Sequence, residues 1–407
     1  MPSLDTTALS AVLKQKYTQK KVYELCYKKN PAFALIKKRT DFGGKNKVVA
    51  IRYGVPQGRG FDFATALANM SASQYTAYTV TRVKDYAFAQ VTGEAIAASK
   101  GDANSLLDGI TSETDNAFHT NMRSLAVGMF SNGGGARGQI ASGQATPTIT
   151  LVRHTDITNF EVGMKLNTST ADGTSGAKKA GTVTITALDR IAGTITVSGN
   201  WSAGIATVAA NDYIFQNGDF EATKQGVSGF AAWLPTTAPT SGDNFFGVDR
   251  STDVVRLAGL RISGASGPFE STLIDSCALL GREGSSPDIC FVNPLDWATL
   301  AKQIGSKVMY DRAQSVDSPD IGFKAIEVMC PTGNVKVVAD PNCPKGLAYL
   351  IQSDTWSFES AGPAPGILNR DGNDILRDAS SDSYIIRVGY YGNMICEAPG
   401  LNAVITW

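Results

Sequence analysis

A change of period in the middle of the chain constrains its fold most. Ile110, Ala117, Phe118, Met122, Leu125 and Met129 recur at three- and four-residue steps, the spacing of one helical face. Asn104 stands where an N-cap is expected and Asn132-Gly133 where the pattern should stop, which predicts a single helix over 104–131, roughly 40 Å long at about 1.5 Å per residue. Soon afterwards residues 181–199, "GTVTITALDRIAGTITVSG", alternate threonine with apolar residues on both sides of the polar turn Asp189 to Gly193. That is the spacing of a β-hairpin. Such a hairpin could be one blade of an all-β protein, part of a binding module on an enzyme, or a decoration inserted into a larger fold.

Its surroundings favour the insertion. Thr supplies 14 of the 70 positions from 146 to 215, and short alternating runs are separated by Gly-rich turns up to "GDF" at 218–220. Beyond it the pattern becomes mixed: a helix around Phe269 to Leu280, the strand "DICFVN", the helix "PLDWATLAKQI", strands near 335–339 and 347–351, and the final strands in "SYIIRVGYYGNMICEAPGLNAVITW". Mixed elements on both sides make residues 146–220 an all-β module set into an α+β chain.

Ahead of the helix, residues 4–38 read as short helix and extended arm, rich in lysine and broken at Asn30-Pro31, where the residue before proline is pushed out of helix. Residues 44–91 read as a long two-stranded ribbon: "KVVAIRYGV", a tip "PQGRGFDF" expected to be extended or disordered, and "YTAYTVTRVKDYAFAQVT" as the returning strand. A two-stranded ribbon is marginal alone in water and needs a surface to lie against.

The chain has 407 residues, 43% of them hydrophobic, and can bury more than one core. Basic and acidic side chains balance at 37 each, without the basic excess of a chain that lives on nucleic acid. The balance is uneven along the sequence, because residues 1–60 hold 13 basic and 3 acidic side chains, a basic arm on an acidic body. Cys26, Cys277, Cys290, Cys330, Cys343 and Cys396 form no CxxC pair and have no histidine at zinc spacing, so they read as reduced core thiols of a cytoplasmic product. The first residues lack an apolar signal-peptide core and no run of 18 apolar residues occurs, so neither secretion nor membrane insertion is expected. The triplets at Asn69, Asn167 and Asn200 then carry no glycosylation meaning.

No recognisable set of catalytic groups stands out. His119 lies in the long helix and His154 in the β module, and there is no G-x-S-x-G elbow. Gly133, Gly135 and Gly138 match G-x-G-x-x-G in letters. A helix precedes them and a β module follows, the reverse of the dinucleotide-binding order, so they read as a flexible helix exit. Asn369, Asp371, Asn373 and Asp374 in "NRDGND" offer oxygen ligands, but the EF-hand glycine and closing glutamate are missing, and the stretch reads as a turn. We therefore expect no catalytic residue, no cofactor, no metal and no enzyme.

Basic arm, ribbon, long helix, mixed body and terminal strands, in that order, resemble the major capsid proteins of tailed bacteriophages, the Hong Kong 97-type fold. "VVAIRYGVPQGRGFDFATA" leading to "VTRVKDYAFAQVTGEAI" resembles the family's E-loop, and the helix from 104 to 131 its spine helix. "SPDICFVNPLDWATL" resembles part of the A-domain; "NVKVVADPNCPKGLAYLIQSDTWSFES" followed by "YGNMICEAPGLNAVITW" resembles the return through the A-domain into the P-domain. The stretch from "DITNFEVGMKLNTS" to "NDYIFQNGDF" is similar to β modules inside some members.

The resemblance implies an N-terminal arm at 1–40, an E-loop at 41–98, spine helix and P-domain at 99–138, the inserted β module at 146–220, an A-domain at 221–350 and P-domain return strands at 351–407. It implies a shell protein that assembles with itself into hexamers and pentamers of an icosahedral head around double-stranded DNA, made in the host cytoplasm and carried in the virion. A portal is implied, and a decoration protein is possible. The type member carries an N-terminal scaffolding domain where this chain begins with an arm, so a separate scaffolding protein is expected. Some relatives join a ribbon lysine to a neighbour's asparagine, and Lys84 lies in that region; we expect no such crosslink. The basic arm should meet acidic surface of neighbouring subunits or the DNA. The insert, with five basic and six acidic side chains, should face outward. Two other readings stay open at this point: another virion protein, such as a tail-tube or adhesin subunit, and a cytoplasmic hydrolase with a β accessory domain.

Overall fold

The computed structural model describes residues 30–94, 109–220, 226–264, 267–304, 325–369, 372, 374–378 and 380–407. Most of the expected arm, including Cys26, and the expected helix cap Asn104 lie outside the described residues. The chain forms two compact units: the larger holds Lys29–Asp85, Arg123–Ala364 and Tyr390–Trp407, the smaller Tyr86–Met122 and Pro365–Gly389.

In the larger unit a helix starts at Asn30-Pro31; the expected short helix before this point lies outside the described residues. Helix α1 (Pro31–Leu35) has its proline in the first turn, where a backbone N–H would have no helical partner. Phe33, Ile36 and Phe42 are buried, and strand β1 (Lys37–Arg39) pairs in parallel with β18 (Trp356–Ser360). This part of the expected arm thus covers its apolar side chains within its own subunit. Strands β2 (Asn46–Gly54) and β3 (Gln74–Thr81) form the ribbon, antiparallel, with an irregularity between Arg52 and Gly54. The stretch read as one returning strand is two. After β3 the Thr81 carbonyl accepts from the Asn393 side chain at 2.9 Å, and beyond Arg82 the strand β4 (Val83–Thr92) pairs instead with β21 (Ser383–Cys396).

Helix α3 (Gly109–Met129) is the long helix of the sequence pattern, and α2 (Phe63–Ala68) lies in the ribbon tip. After α3 the chain enters a closed six-stranded barrel made of β5 (Gly138–Ser142), β6 (Thr148–Leu151), β7 (Lys165–Ser169), β8 (Val183–Asp189), β9 (Thr194–Val197) and β10 (Tyr213–Gln216), ordered β10-β5-β6-β9-β8-β7 around the ring. Closure leaves no free strand edge. The hairpin at 181–199 is β8 and β9, and its inward Val183, Ile185, Ile195 and Val197 join Ile149, Leu166 and Trp201 in the barrel core. Outward Thr148 and Thr196 pair hydroxyls at 2.8 Å across the sheet. Half-buried Lys179 meets buried Asp212 at 2.5 Å, and Lys179 also donates to the Thr207 carbonyl. The barrel's first strand precedes residue 146, where the threonine-rich pattern begins, because a five-residue strand beside a glycine run leaves little periodic trace.

The body of the larger unit is a second six-stranded sheet, ordered β13 (Leu260–Ser263), β22 (Ala403–Thr406), β17 (Leu347–Ile351), β14 (Ile289–Val292), β16 (Gly333–Ala339) and β15 (Ala325–Cys330). Helices α4 (Phe269–Arg282) and α5 (Pro294–Ile304) pack on it. Phe269, Leu273, Cys277 and Leu280 line one face of α4 and share a core with Val335, Val337, Leu350 and Ile405. Phe130, Phe230, Phe291, Tyr349 and Trp356 form a second, aromatic core, with Phe230 stacked on Tyr349 at 5.3 Å. Apolar layers on both sides explain why β14 and β22 read as unbroken apolar runs rather than alternating ones.

The smaller unit builds its own core from Ala89 on β4, Ala117 on α3, and Ile386 and Val388 on β21. Two short strands, β19 (Gly366–Ile367) and β20 (Ile375–Arg377), pair with residues 383–389 of β21.

Candidate functional site

The ribbon is fastened at one end and bare at the other. At its root Tyr78 is fully buried, packed edge-on against Trp233 at 5.2 Å and Phe245 at 6.1 Å. Its hydroxyl donates to the Leu257 carbonyl at 2.7 Å, and burial pushes its pKa well up. The Thr79 N–H donates to the Phe246 carbonyl at 2.9 Å, beside the small hairpin of β11 (Asn244–Phe245) and β12 (Val248–Asp249). Arg256 reaches the Tyr53 carbonyl at 2.7 Å on the other strand. A charged knot completes the root: buried Glu359 on β18 takes Lys47 of β2 and, at 3.4 Å, Arg39 of β1. Arg39 also reaches Glu397 at 2.9 Å and Lys47 reaches Asp41 at 3.3 Å. Burial works against the Lys47 charge, but the hydrogen bonds and charges of Glu359 and Asp41 together outweigh it and raise the ammonium pKa.

Beyond the root the chain turns through residues 55–73 without a core of its own. Helix α2 forms because alanine-rich "FATALA" follows Asp62, whose carboxylate accepts the Thr65 N–H at 3.1 Å as an N-cap. Gln57 N–H to Ser71 Oγ at 2.9 Å and Asn69 to the Arg59 carbonyl at 3.0 Å close the loop. Gly60 lets the backbone fold this tightly, since a Cβ there would lie 2.8 Å from the Ala66 nitrogen. The loop presents exposed apolar side chains: Phe61 is 99% exposed, Phe63 84%, Met70 70% and Leu67 56%. Arg59 lies over the Phe61 ring at 4.9 Å. Large apolar side chains left exposed together on one loop are the kind of surface that binding faces present. Sequence reading took this tip as extended or disordered and missed it, although the Asp62–Thr65 spacing and the Phe63–Leu67 step of four were the available signals.

The other residues singled out from the sequence do not gather. His119 is half-buried on α3 in the smaller unit, and His154 is exposed on a 3₁₀ turn of the barrel. Gly133 and Gly135 follow α3 and Gly138 begins β5, so a strand and not a helix comes after them. The expectation of a flexible exit is corrected: a Cβ on Gly134 would lie 2.2 Å from the Asp172 carbonyl and one on Gly173 1.9 Å from the Gly134 carbonyl, and Asn132 donates to Asp172 at 2.6 Å. The joint is closely packed. Asn369 and Asp374 hydrogen-bond each other at 2.8 Å across a turn, while Asp371 and Asn373 lie outside the described residues. Lys84 is exposed on β4, away from the ribbon tip, whose residues 55–73 contain no lysine. A cleft of about 410 Å³ separates barrel from body, and several of its polar groups satisfy one another, as in Arg153 with Asp156 and Asn293 with the Cys343 carbonyl. Among the described residues no three His, Cys, Asp or Glu assemble as metal ligands, and no helix is long and apolar enough to cross a membrane.

No family model matches the chain and no curated protein matches its sequence. Solved structures do match its fold. The chain is similar to a subunit of the cyanophage A-1(L) capsid, with 13% identity, TM-score 0.57 and 99% of each chain covered. It is also similar to the capsid of the native GTA particle, with 10% identity, TM-score 0.52 and 99% of each chain covered. A third match is the capsid of the empty GTA particle, at 10% identity and TM-score 0.51, over 99% of this chain and 97% of the other. The chain has the α+β fold of phage capsid proteins.

Proposed function

We propose that this chain is the major capsid protein of a tailed double-stranded DNA phage, assembling into hexamers and pentamers of an icosahedral head that encloses the genome. The observation that carries this reading is the ribbon tip, an apolar surface that no described part of its own subunit covers, on a chain with a capsid fold. A second copy supplies the missing surface at no genetic cost, and a repeated heterologous contact closes into rings. Burying Phe61, Phe63, Leu67 and Met70 against a neighbour offers roughly 6–12 kcal/mol per copy before the cost of association. The chain then acts as structure rather than as an enzyme, located in the virion after assembly in the host cytoplasm.

In this reading residues 1–40 form the arm, 41–98 the E-loop, 99–138 the spine helix and first P-domain segment, 221–350 the A-domain and 351–407 the P-domain return. The barrel is an accessory module on the outer surface; its near-neutral charge favours that side over the DNA side. Partners are further copies, a separate scaffolding protein, a portal, the packaged DNA on the inner face and, at the outer face, a decoration protein.

Electron microscopy of the purified chain, expressed with the scaffolding and portal partners of its own phage, tests the proposal. Wild type should give shells or capsomers, and the triple substitution Phe61→Ser, Phe63→Ser, Met70→Ser should leave folded subunits that do not close into shells. Tubes or discrete small particles from the wild type would overturn the capsid reading, and normal shells from the triple variant would overturn the role of the tip.

A further inference from the structure

The cleft between barrel and body holds about 410 Å³, within the roughly 300–1,000 Å³ of small-molecule sites. Its walls are held in place. Arg123 on α3 donates to the barrel's Thr158 and Phe160 carbonyls at 2.7 and 3.2 Å, and the joint at Gly134 and Gly173 is closely packed. The charges along the cleft balance: Arg137 and Arg153 stand against Asp156 and Asp172. Nε of Arg137 is taken by Asp219 at 2.9 Å and Nε of Arg153 by Asp156 at 3.1 Å. Such a lining offers no net charge to an ion.

What it offers is hydrogen bonding in both senses. Tyr349 on β17 lines the cleft from the body side, fully buried with its ring stacked on Phe230, and its hydroxyl has no partner among the described residues. Burial pushes its pKa well up, so it stays a neutral phenol that can donate. Beside it in the lining, Asn342 is 7% exposed and donates from Nδ2 to Asn30 Oδ1 and Asp340 Oδ1, both at 3.0 Å. Those two bonds fix which way the amide points, and they leave Oδ1 without a partner among the described residues. From the barrel side, Arg153 and Asp156 use only Nε and Oδ2 on each other. Two donors, Tyr349 Oη and Arg153 Nη, and two acceptors, Asn342 Oδ1 and Asp156 Oδ1, thus border one cleft, with Phe130, Val152 and Leu347 as its apolar part.

We propose that this cleft binds a neutral polyhydroxylated ring, a hexose either free or as the terminal residue of a glycan. Each hydroxyl both donates and accepts, so adjacent ring hydroxyls accept from Tyr349 or Arg153 and donate to Asn342 or Asp156, while ring carbons lie on the apolar part. The Tyr349 and Asn342 oxygens lie just beneath the cleft surface, and a small outward shift of the wall admits the hydroxyls. Buried polar atoms without partners are costly in the empty protein, and a polyol relieves both at once. A carboxylate or ammonium would instead bring an unpaired charge among charges already paired. This binding is separate from shell assembly and does not depend on it.

The test is calorimetric titration of the full-length protein with D-glucose, D-galactose and D-mannose and with their methyl glycosides. At least one should bind saturably, with a dissociation constant in the millimolar range. Equal binding of the methyl glycoside identifies a glycan end as the source, and a glycoside about tenfold weaker identifies the free sugar. D-Gluconate and D-glucosamine should bind more weakly than the neutral hexoses. Tyr349→Phe should weaken binding about tenfold, the loss of one hydrogen bond, without lowering the melting temperature of the sugar-free protein, because the deleted hydroxyl has no bond to lose. No saturable binding of any hexose or glycoside, gluconate binding as tightly as glucose, unchanged binding in Tyr349→Phe, or a lowered melting temperature in that variant would each overturn the proposal. An electron-microscopy map of the wild type with its sugar decides independently of the variant: density should lie against Tyr349 and Asn342, and a sugar seated elsewhere refutes the site.

Discussion

Tyr78 is the side chain on which the ribbon's attachment rests, and removing one atom from it measures that attachment. Tyr78→Phe keeps the ring between Trp233 and Phe245 but deletes the hydroxyl that donates to the Leu257 carbonyl at 2.7 Å. The site is fully buried, so water cannot replace the lost donor, and an unsatisfied buried acceptor costs about 1–3 kcal/mol. The ring is worth more: Tyr78→Ala removes it from a closed aromatic site and should cost about 3–5 kcal/mol. Both losses fall on the ribbon root, where the Thr79 N–H is bonded to the Phe246 carbonyl. Native-state hydrogen exchange at that amide is therefore the assay. A loss of about 2 kcal/mol in the opening free energy speeds its exchange roughly 30-fold. Tyr75, exposed three residues away on the same strand, supplies the control, and Tyr75→Phe should change nothing. Thr79 exchange in Tyr78→Phe within twofold of wild type would refute the anchoring role of the hydroxyl. An unchanged rate in Tyr78→Ala would refute the anchored root altogether.

Two further predictions concern the barrel. Residues 174–178 of the turn "DGTSGAKKAG" are exposed, whereas Lys179 is held by Asp212 and the Thr207 carbonyl; trypsin should cut DNA-filled particles first after Lys178, and protection there in particles but not in free subunits would place the barrel inside the shell or between subunits. Asp189 accepts the Ala192 and Ile191 N–H groups at 2.9 Å, and these hydrogen bonds hold its pKa below the ordinary carboxylate range. A carboxyl with a depressed folded pKa stabilises the turn above the unfolded value near 4 and loses that contribution as pH falls through the folded one. Urea unfolding between pH 6 and 3 should show this acid loss in wild type and a flatter profile in Asp189→Asn; identical profiles would remove Asp189 from the account.

What could be read in the sequence was whatever repeats locally. The 3.6-residue period of α3, the alternation of β8 and β9 with their Asp189–Gly193 turn, the helix "PLDWATLAKQI", and the order of ribbon, helix, insert and mixed body all follow from side-chain spacing, because a helix or hairpin must turn one face to a core wherever that core lies. Tertiary structure decided the rest. Only pairing shows that the hairpin is one third of a closed barrel, that the stretch 75–92 serves two sheets, and that Pro31 opens a helix whose neighbours Phe33 and Ile36 belong to the subunit core. Cys277 and Cys330 stand 53 positions apart in sequence and share one apolar cluster in space. The ribbon tip divides between the two: Asp62 and "FATALA" announce a short helix, but exposure is a property of what fails to cover a side chain. No window of sequence around Phe61 and Met70 contains that information, since it depends on where the other described segments pack.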